Sequence, residues 1–353
     1  MLLSLFSGCG GLDLGFEQAG YSTGLAYDIR PQSIRSWNGN RLKNQAGRVR
    51  DINTLTLEQL DIDFNGKFTP SGVIGGPPCQ SFTNANSHKR DDDPRALLVA
   101  AFFDTAVQLH RRSPLDFIVM ENVPELASPR YCKILDAQIA RLDDEGFICH
   151  QEVLDAYDYG VPQHRRRLIL VALHKEKFAG ATWVAPEKSA RRKNVKHAIS
   201  ALPEPSYFAR GLLPEDINHH PNHWCMVPKS SKFRDGRLTA GKGFGRSFKM
   251  LRWDKPSFTV SYGNREVHVH PHGNRRLSVF EAMLLQGFPK SFVLEGTLSA
   301  QITQVSEAVP PPLARKVAES ILLMSAPEAR PECIQPVGAA PAFLQEAPHF
   351  PAH

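Results

Sequence analysis

The first residues of the chain follow a strand, turn and helix pattern that few folds accommodate. Residues 2–6 are a short apolar run, residues 7–13 form a glycine-rich turn, and a helical pattern follows. A second apolar run ends at Asp28, 20 residues after Gly8. Small residues in such a turn let a ligand approach the backbone closely, and an acid at the second strand tip accepts hydrogen bonds from ribose hydroxyls. The pattern therefore predicts half of a nucleotide-type βαβ unit that binds an adenosine-containing cofactor.

Apolar runs and helical patterns continue to alternate through the first half of the chain, which is typical of an α/β fold. A third strand end carries another acid, Asp51, followed by Ile52. Two later strands, near 147–154 and 167–173, are expected to form an antiparallel hairpin at the sheet edge. The other expected strands are 2–6, 24–28, 48–51, 72–75 and 116–120, with helices near 11–19, 31–43, 95–111 and 130–145.

One cysteine is held on a stiff turn directly after a predicted strand. Val73 and Ile74 end the strand, two glycines let the backbone turn, and Pro77 and Pro78 precede Cys79. Each proline fixes its own φ at about −65°, so the sulfur follows a restrained backbone. Most cysteines are small buried hydrophobic residues. A cysteine displayed past a strand end, however, is placed for nucleophilic chemistry.

Two further predicted strands carry polar groups at one end. Residues 116–120 lead into Glu121 and Asn122, and a segment with Gln163 and the three arginines 165–167 leads into strand 168–172. Ligands bind at strand ends in open α/β sheets. A solvated basic run is the alternative interpretation of the arginine triplet taken alone.

These segments, in their order along the chain, resemble the sequence blocks of DNA cytosine-5 methyltransferases of the bacterial restriction-modification type. The blocks are residues 6–11, 76–80, 121–123, 163–167, 276–289 and 304–310. The resemblance spans roughly residues 1–325 and fails only between about 175 and 255, a segment that varies within that family. It implies a Rossmann-like mixed sheet of the S-adenosylmethionine-dependent methyltransferase type, with a smaller, basic target-recognition domain.

The resemblance implies four catalytic residues: Cys79, Glu121, Arg165 and Arg167. Cytosine C5 is a poor nucleophile, and a thiolate that adds to C6 turns C5 into an enamine carbon able to take a methyl group. Cys79 would be this nucleophile, and Glu121 would hydrogen-bond N3 and the exocyclic amine. Arg165 would hold O2, and Arg167 would support Glu121 and the nucleophile loop. The cytosine would have to swing out of the duplex first.

S-adenosyl-L-methionine is the implied cofactor. The residues expected around it are Phe6, Gly8, Gly10, Gly11, Asp28, Ile29, Asp51, Ile52, Pro78 and Ala308. Asp28 would meet the ribose, and Asp51 with Ile52 would edge the adenine. The chain departs from the usual family pattern at Ser4, often an aspartate, at Ile29, often an aromatic residue, and at Glu307, usually an asparagine. We expect Glu307 to attract the cofactor's cations or a backbone N–H, or else to point into solvent at a helix start.

Positive charge is concentrated in one segment. Residues 175–255 hold 17 lysines and arginines against 7 acids, whereas the whole chain of 353 residues has a net charge of +6. Such a segment is the expected footprint of phosphate contact and favours double-stranded DNA as the substrate. We therefore expect a catalytic and cofactor-binding domain at 1–174, a target-recognition domain at 175–262, a return to the catalytic domain at 263–325 and an Ala/Pro-rich tail at 326–353.

Composition and spacing exclude several other classes. Six cysteines without CxxC spacing argue against a disulfide framework or a zinc ribbon, and the cramped histidines of residues 219–223 favour a structural or DNA-facing loop over a metal site. No metal is therefore expected. No apolar run approaches a membrane span, and we expect a cytoplasmic monomer that works on the nucleoid. A cognate restriction endonuclease would be its functional, not physical, partner.

Two alternatives remain open at the level of sequence. One is an enzyme of the same chemistry that acts on RNA, since the family includes a tRNA-methylating branch. The other is a catalytically inactive DNA-binding relative, which the joint presence of Cys79, Glu121 and Arg165 disfavours.

Overall fold

A twisted, mixed sheet of seven strands organises the larger part of the molecule. The computed structural model describes residues 1–41, 44–78, 96–236, 238–241, 248–260 and 268–324. The strand order is β3-β2-β1-β4-β5-β7-β6. The first five strands of this order run parallel, and β7 is antiparallel to both of its neighbours. The strands are β1 (Leu2–Leu5), β2 (Thr23–Asp28), β3 (Gly47–Val49), β4 (Gly72–Gly75), β5 (Phe117–Asn122), β6 (Phe147–Asp155) and β7 (Arg166–His174).

Helices cover both faces of this sheet, which explains why its central strands are buried along their whole length. β1, β4 and β5 are buried at every position. The helices are α1 (Gly11–Gln18), α2 (Pro31–Gly39), α3 (Leu57–Phe64), α4 (Ala96–Arg112), α5 (Cys132–Asp144) and, far along the chain, α9 (Pro311–Met324). α3, α4 and α5 share one apolar cluster with the sheet, and α1 and α9 share the opposite one. The predicted α/β methyltransferase fold is thereby confirmed.

The close contact between α1 and α9 depends on a glycine. A Cβ added at Gly15 would lie 2.6 Å from the carbonyl oxygen of Pro311 and 2.5 Å from the backbone nitrogen of Arg315. Real Cβ atoms do not approach backbone atoms so closely, because packed interiors leave no room for them. The helix that begins some 300 residues into the chain is therefore fitted directly onto the first helix.

A smaller body is built from the middle of the chain and from two late helices. Val195, Trp224, Leu251 and Val260 share one buried cluster with the segment 277–308. Its elements are α6 (Val195–Ile199), α7 (Val279–Leu285) and α8 (Leu298–Glu307), with the short strand pairs β8 (Ser206–Tyr207) with β9 (Trp224–Cys225) and β10 (Lys249–Met250) with β11 (His268–Val269). Residues before and after 262, where the target-recognition domain was predicted to end, therefore pack in this one core.

Several local expectations can be compared with these elements. Helix α7 begins with a capping box at Ser278, since Glu281 N donates to Ser278 Oγ at 3.0 Å and Ser278 N donates to Glu281 Oε2 at 2.7 Å. The helix expected over 31–43 ends instead at Gly39. Helices α3 and α8 were not anticipated. Cys79, the tail 326–353 and three basic residues of the segment 175–255 lie outside the described residues: Arg237, Lys242 and Arg246.

Candidate active site

The glycine turn after β1 opens onto the carboxyl end of the sheet. Phe6 and Gly8 have left-handed φ values of 55° and 56°. A side chain at Gly8 would meet nothing within 4 Å, so the backbone there faces open space. At Gly10 (φ 89°), by contrast, a Cβ would lie 2.6 Å from the ring of Trp37. The turn is thus packed on one side and accessible to a ligand on the other, as nucleotide-type turns require.

Asp28 lies beside this turn at the tip of β2. Gly8 N donates to its Oδ2 at 3.0 Å, and Arg30 N donates to its Oδ1 at 2.8 Å. Burial raises the pKa of the Asp28 carboxyl, and these two backbone donors oppose the shift. Each oxygen keeps accepting capacity for a further donor. The next residue, Ile29, is 63% exposed, which leaves an apolar surface beside the acid.

Asp51 and Ile52, which follow β3, were both predicted to edge the adenine of the cofactor. Asp51 Oδ1 accepts from Asn53 N at 3.0 Å and from Asn53 Nδ2 at 2.9 Å, so it caps the short turn that follows. Ile52 is buried, with 8% exposure. The carboxylate therefore has a local structural partner.

A buried acid that the sequence reasoning missed lies behind the turn. Asp13 is fully buried in the first turn of α1, and Trp37 Nε1 donates to its Oδ1 at 3.0 Å. Burial raises the pKa of Asp13 to about 6, although the charge of Arg41 opposes the shift. Ser4, where the family pattern often has an aspartate, is also fully buried. The sequence feature that could have identified Asp13 is its position within the glycine-rich segment 7–13.

The strand ends of β5 and β7 bring two predicted catalytic residues together. Arg167 Nε lies 2.7 Å from Glu121 Oε1, and the two side chains are 13% and 9% exposed. Gly76 approaches Glu121 so closely that a Cβ there would lie 3.0 Å from Oε2. Since β4 lies between β1 and β5 in the sheet, residues 76–78 run between the glycine turn and Glu121.

The backbone that leads to Cys79 is held from the same strand. Asn122 Nδ2 donates to the carbonyl of Pro77 at 3.2 Å, and Asn122 Oδ1 accepts from Val123 N at 2.9 Å. Pro78, predicted to contact the cofactor, is partly buried. Asn122 therefore restrains the turn two residues before the predicted nucleophile, a role that sequence reasoning had not given it.

Arg165 lies just before β7 and is 1% exposed. Its Nη2 donates to the carbonyl of Ser306 at 2.8 Å, and its Nη1 donates to the carbonyl of Val260 at 3.3 Å. These contacts join the sheet to the segment before α7 and to the last turn of α8. Its predicted role at cytosine O2 stays a prediction.

Glu307 is not at a helix start, because α8 ends at this residue. Its expected attraction for the cofactor's cations stays a prediction. Glu307 accepts from the guanidinium of Arg30, with Nη2 to Oε1 at 3.0 Å. The next residue, Ala308, is nearly buried and packs beside Gly11.

Two histidines of the segment 219–223 have structural partners. His220 stacks on Phe280 with ring centroids 3.9 Å apart. His223 lies between the hydroxyl of Ser278 at 2.9 Å and the carbonyl of Pro203 at 2.8 Å. Within the described ranges, no cluster of three or more His, Cys, Asp or Glu side chains is placed to hold a metal. None of the helices described there is long and apolar enough to cross a membrane.

Comparison with known proteins places the chain among DNA methylases. The model of the family described as C-5 cytosine-specific DNA methylase matches residues 1–323. The chain is 34% identical to Type II methyltransferase M1.HphI of Haemophilus parahaemolyticus, over 92% of this chain and 87% of that protein. It is 30% identical to M.MthTI of Methanothermobacter thermautotrophicus, over 91% and 96%.

A solved structure shares the fold. A putative DNA modification methyltransferase from an Escherichia coli prophage superposes with a TM-score of 0.73 at 22% identity, covering 92% of this chain and 98% of the other.

The methyl donor of this family is S-adenosyl-L-methionine, and the observed strand ends fit it. The open backbone at Gly8, the carboxylate of Asp28 with its remaining accepting capacity and the exposed Ile29 offer contacts of the right kind for backbone, ribose and adenine. Because the family model covers nearly the whole chain and the sheet carries these residues at its carboxyl end, we conclude that the protein belongs to the C-5 cytosine-specific DNA methylase family and is a DNA (cytosine-5-)-methyltransferase.

Proposed function

We propose that the enzyme methylates C5 of a cytosine that is flipped out of a specific duplex sequence, through a covalent bond between Cys79 and C6. The observation that supports this most strongly is the Glu121–Arg167 ion pair, 2.7 Å long, next to the backbone of residues 76–78. It holds an orienting carboxylate beside the backbone that leads to the cysteine. A base can reach such a group only outside the stack.

The chemistry follows from the residues around the base. The Cys79 thiolate adds to C6, so an S–C bond forms, the C5–C6 double bond is lost and C5 gains electron density. Glu121 hydrogen-bonds N3 and the exocyclic amine as negative charge builds on the ring, and Arg165 holds O2. After methylation of C5, loss of the C5 proton and expulsion of the thiolate restore the double bond.

The cofactor contacts are part of the same proposal. S-adenosyl-L-methionine supplies the electrophilic methyl group when bound. Phe6, Gly8, Gly10 and Gly11 line its turn, and Asp28 accepts from the ribose. The remaining predicted contacts are Ile29, Asp51, Ile52, Pro78 and Ala308.

Sequence recognition is assigned to the basic segment 175–262, and protection of host DNA from a restriction endonuclease is the proposed biological role. The Type II names of the relatives support that role. In this proposal a monomer acts on nucleoid DNA in the cytoplasm. An RNA substrate is a second candidate, which a side-by-side assay on duplex DNA and structured RNA distinguishes.

The covalent step is tested by comparing Cys79→Ser with Cys132→Ser, which changes another free cysteine, on α5. The site is first located by bisulfite sequencing of DNA from cells that express the chain. A duplex with 5-fluorocytosine at that site should then trap wild type and Cys132→Ser as covalent complexes, because fluorine cannot leave as the C5 proton does. Cys79→Ser should bind the duplex, form no complex and transfer no methyl group. Turnover of Cys79→Ser close to that of wild type would remove the assignment.

A further inference from the structure

An ion pair between Arg30 and Glu307 joins two segments that are far apart in the chain. Arg30, after the tip of β2, donates through both terminal nitrogens to Glu307, 277 residues later. Their side chains are 42% and 43% exposed. A single exposed pair contributes little to overall stability, so its effect should be local.

The two sides of this pair differ in how firmly they are held. On the side of α8, Ser306 O accepts from buried Arg165, and Ala308 O accepts from Gln286 Nε2 at 2.6 Å. Gln286 is fully buried. The residues on either side of Glu307 therefore have buried anchors that do not involve Arg30.

The side of β2 is more exposed. Arg30 N donates to Asp28 Oδ1, and Ile29 between them is 63% exposed. Further along the chain, α2 contacts α8 where Ser36 Oγ donates to Gln304 Oε1 at 2.6 Å, whereas the guanidinium of Arg30 connects the tip itself to α8 through Glu307. Residues 28–30 at this tip include Asp28, assigned to the cofactor's ribose, and Ile29, assigned to its adenine.

We propose that Glu307 is a fixed anchor that positions the tip of β2 for S-adenosyl-L-methionine by holding Arg30. The inference rests on the proposed assignment of Asp28 and Ile29 to the cofactor. A neutral asparagine at position 307, the residue of the usual family pattern, could not form this ion pair. Arg30 and Glu307 are thus positioning residues and need not touch the reacting atoms.

Salt should weaken the Arg30–Glu307 ion pair and, through it, the binding of the cofactor. A polar cavity of about 270 Å³ lies beside the pair, between Arg30, Gln32 and Ser33 on one side and Thr303 and Gln304 on the other. Ions therefore have access to the pair. Between about 0.1 M and 1 M salt, the screening length falls from about 10 Å to about 3 Å.

The test measures the affinity of the full chain for S-adenosylhomocysteine by calorimetry, together with steady-state kinetics. We expect Arg30→Gln and Glu307→Gln each to weaken binding by about twofold to fivefold, the range for a partly exposed pair. The Michaelis constant for the methyl donor should rise equally, with kcat and DNA affinity unchanged, because the neighbours of Glu307 keep their own anchors. The double exchange Arg30→Glu with Glu307→Arg should recover affinity. High salt should weaken the wild type more than either single variant.

The control is Glu319→Gln, which removes the acid from the partly exposed Arg315–Glu319 pair on α9. This variant should bind S-adenosylhomocysteine with the same affinity as the wild type. Equal affinity of all variants, or an exchanged pair no better than the single variants, would overturn the inference. Weakened binding in Glu307→Gln together with full wild-type affinity in Arg30→Gln would also overturn it, because Glu307 would then only keep a free guanidinium from Asp28. A wild-type chain that binds no S-adenosylhomocysteine would instead refute the cofactor site itself.

Discussion

Arg167 meets Glu121 through Nε at 2.7 Å, and the pair joins two antiparallel neighbouring strands at the point where the base is proposed to bind. Both side chains are largely withdrawn from solvent. A carboxylate held in this way is fixed before the base arrives. Preorganisation of this kind is how enzymes reduce the cost of orienting a reactant.

Arg167→Lys should reduce kcat by about 100-fold or more, because lysine lacks the planar guanidinium and a displacement of about 1 Å of the orienting group has this effect. The neighbouring Arg166, which is exposed, offers the matched control Arg166→Lys. Single-turnover methyl transfer at saturating DNA and cofactor measures the effect. Equal rates for the two variants would mean that the pair does not orient the base.

Stability should depend on pH through Asp13. Burial raises its pKa from 3.8 to about 6, so the folded state binds more protons than the unfolded state between these values. Its contribution is therefore fully present below about pH 4 and is lost as the pH rises through 6. Asp13→Asn lacks this titration. The Tm of the variant relative to wild type should rise by the equivalent of up to about 3 kcal/mol between pH 4 and pH 7.

The control for this measurement is Asp136→Asn, since Asp136 is exposed on α5. Its Tm difference from wild type should stay constant over the same range. A Tm difference between Asp13→Asn and wild type that does not change with pH would contradict the interpretation.

Gly15→Ala should destabilise the protein by about 1–3 kcal/mol, because the new methyl group collides with the backbone of α9. The same change at Gly39, in α2, meets nothing within 4 Å. Gly39→Ala should stabilise the protein by about 0.5–1 kcal/mol through helix propensity. Chemical denaturation measures both, and the opposite signs separate the collision from the general effect of alanine.

Exchange of residues 175–255 for the matching segment of a relative should move the methylated site and preserve methyl transfer. The hybrid must keep the buried residues that pack on α7 and α8, among them Val195, Trp224, Leu251 and Val260. Bisulfite sequencing of the host DNA reads the outcome. An active hybrid that retains the original site would place recognition elsewhere.

The sheet was predictable from the sequence because its central strands are short, apolar and followed by polar groups. Glu121 and Arg167 were named together from the resemblance, and the structure brings them into contact. Helix α8 was missed because its core contacts, such as Val305 with the small body, are set by tertiary packing. Glu307 was misplaced for the same reason. Its partner, Arg30, lies 277 residues away, a distance that no local pattern reports.

The contact of α9 with α1 has a consequence for synthesis. The apolar face of α1, with Leu12 and Phe16, is covered by Leu313 and Val317, which leave the ribosome only after some 300 residues have been made. Until then the nascent chain exposes that face, because α9 is what covers it in the folded protein. The unfinished chain is therefore a natural client for chaperones that bind exposed apolar surface.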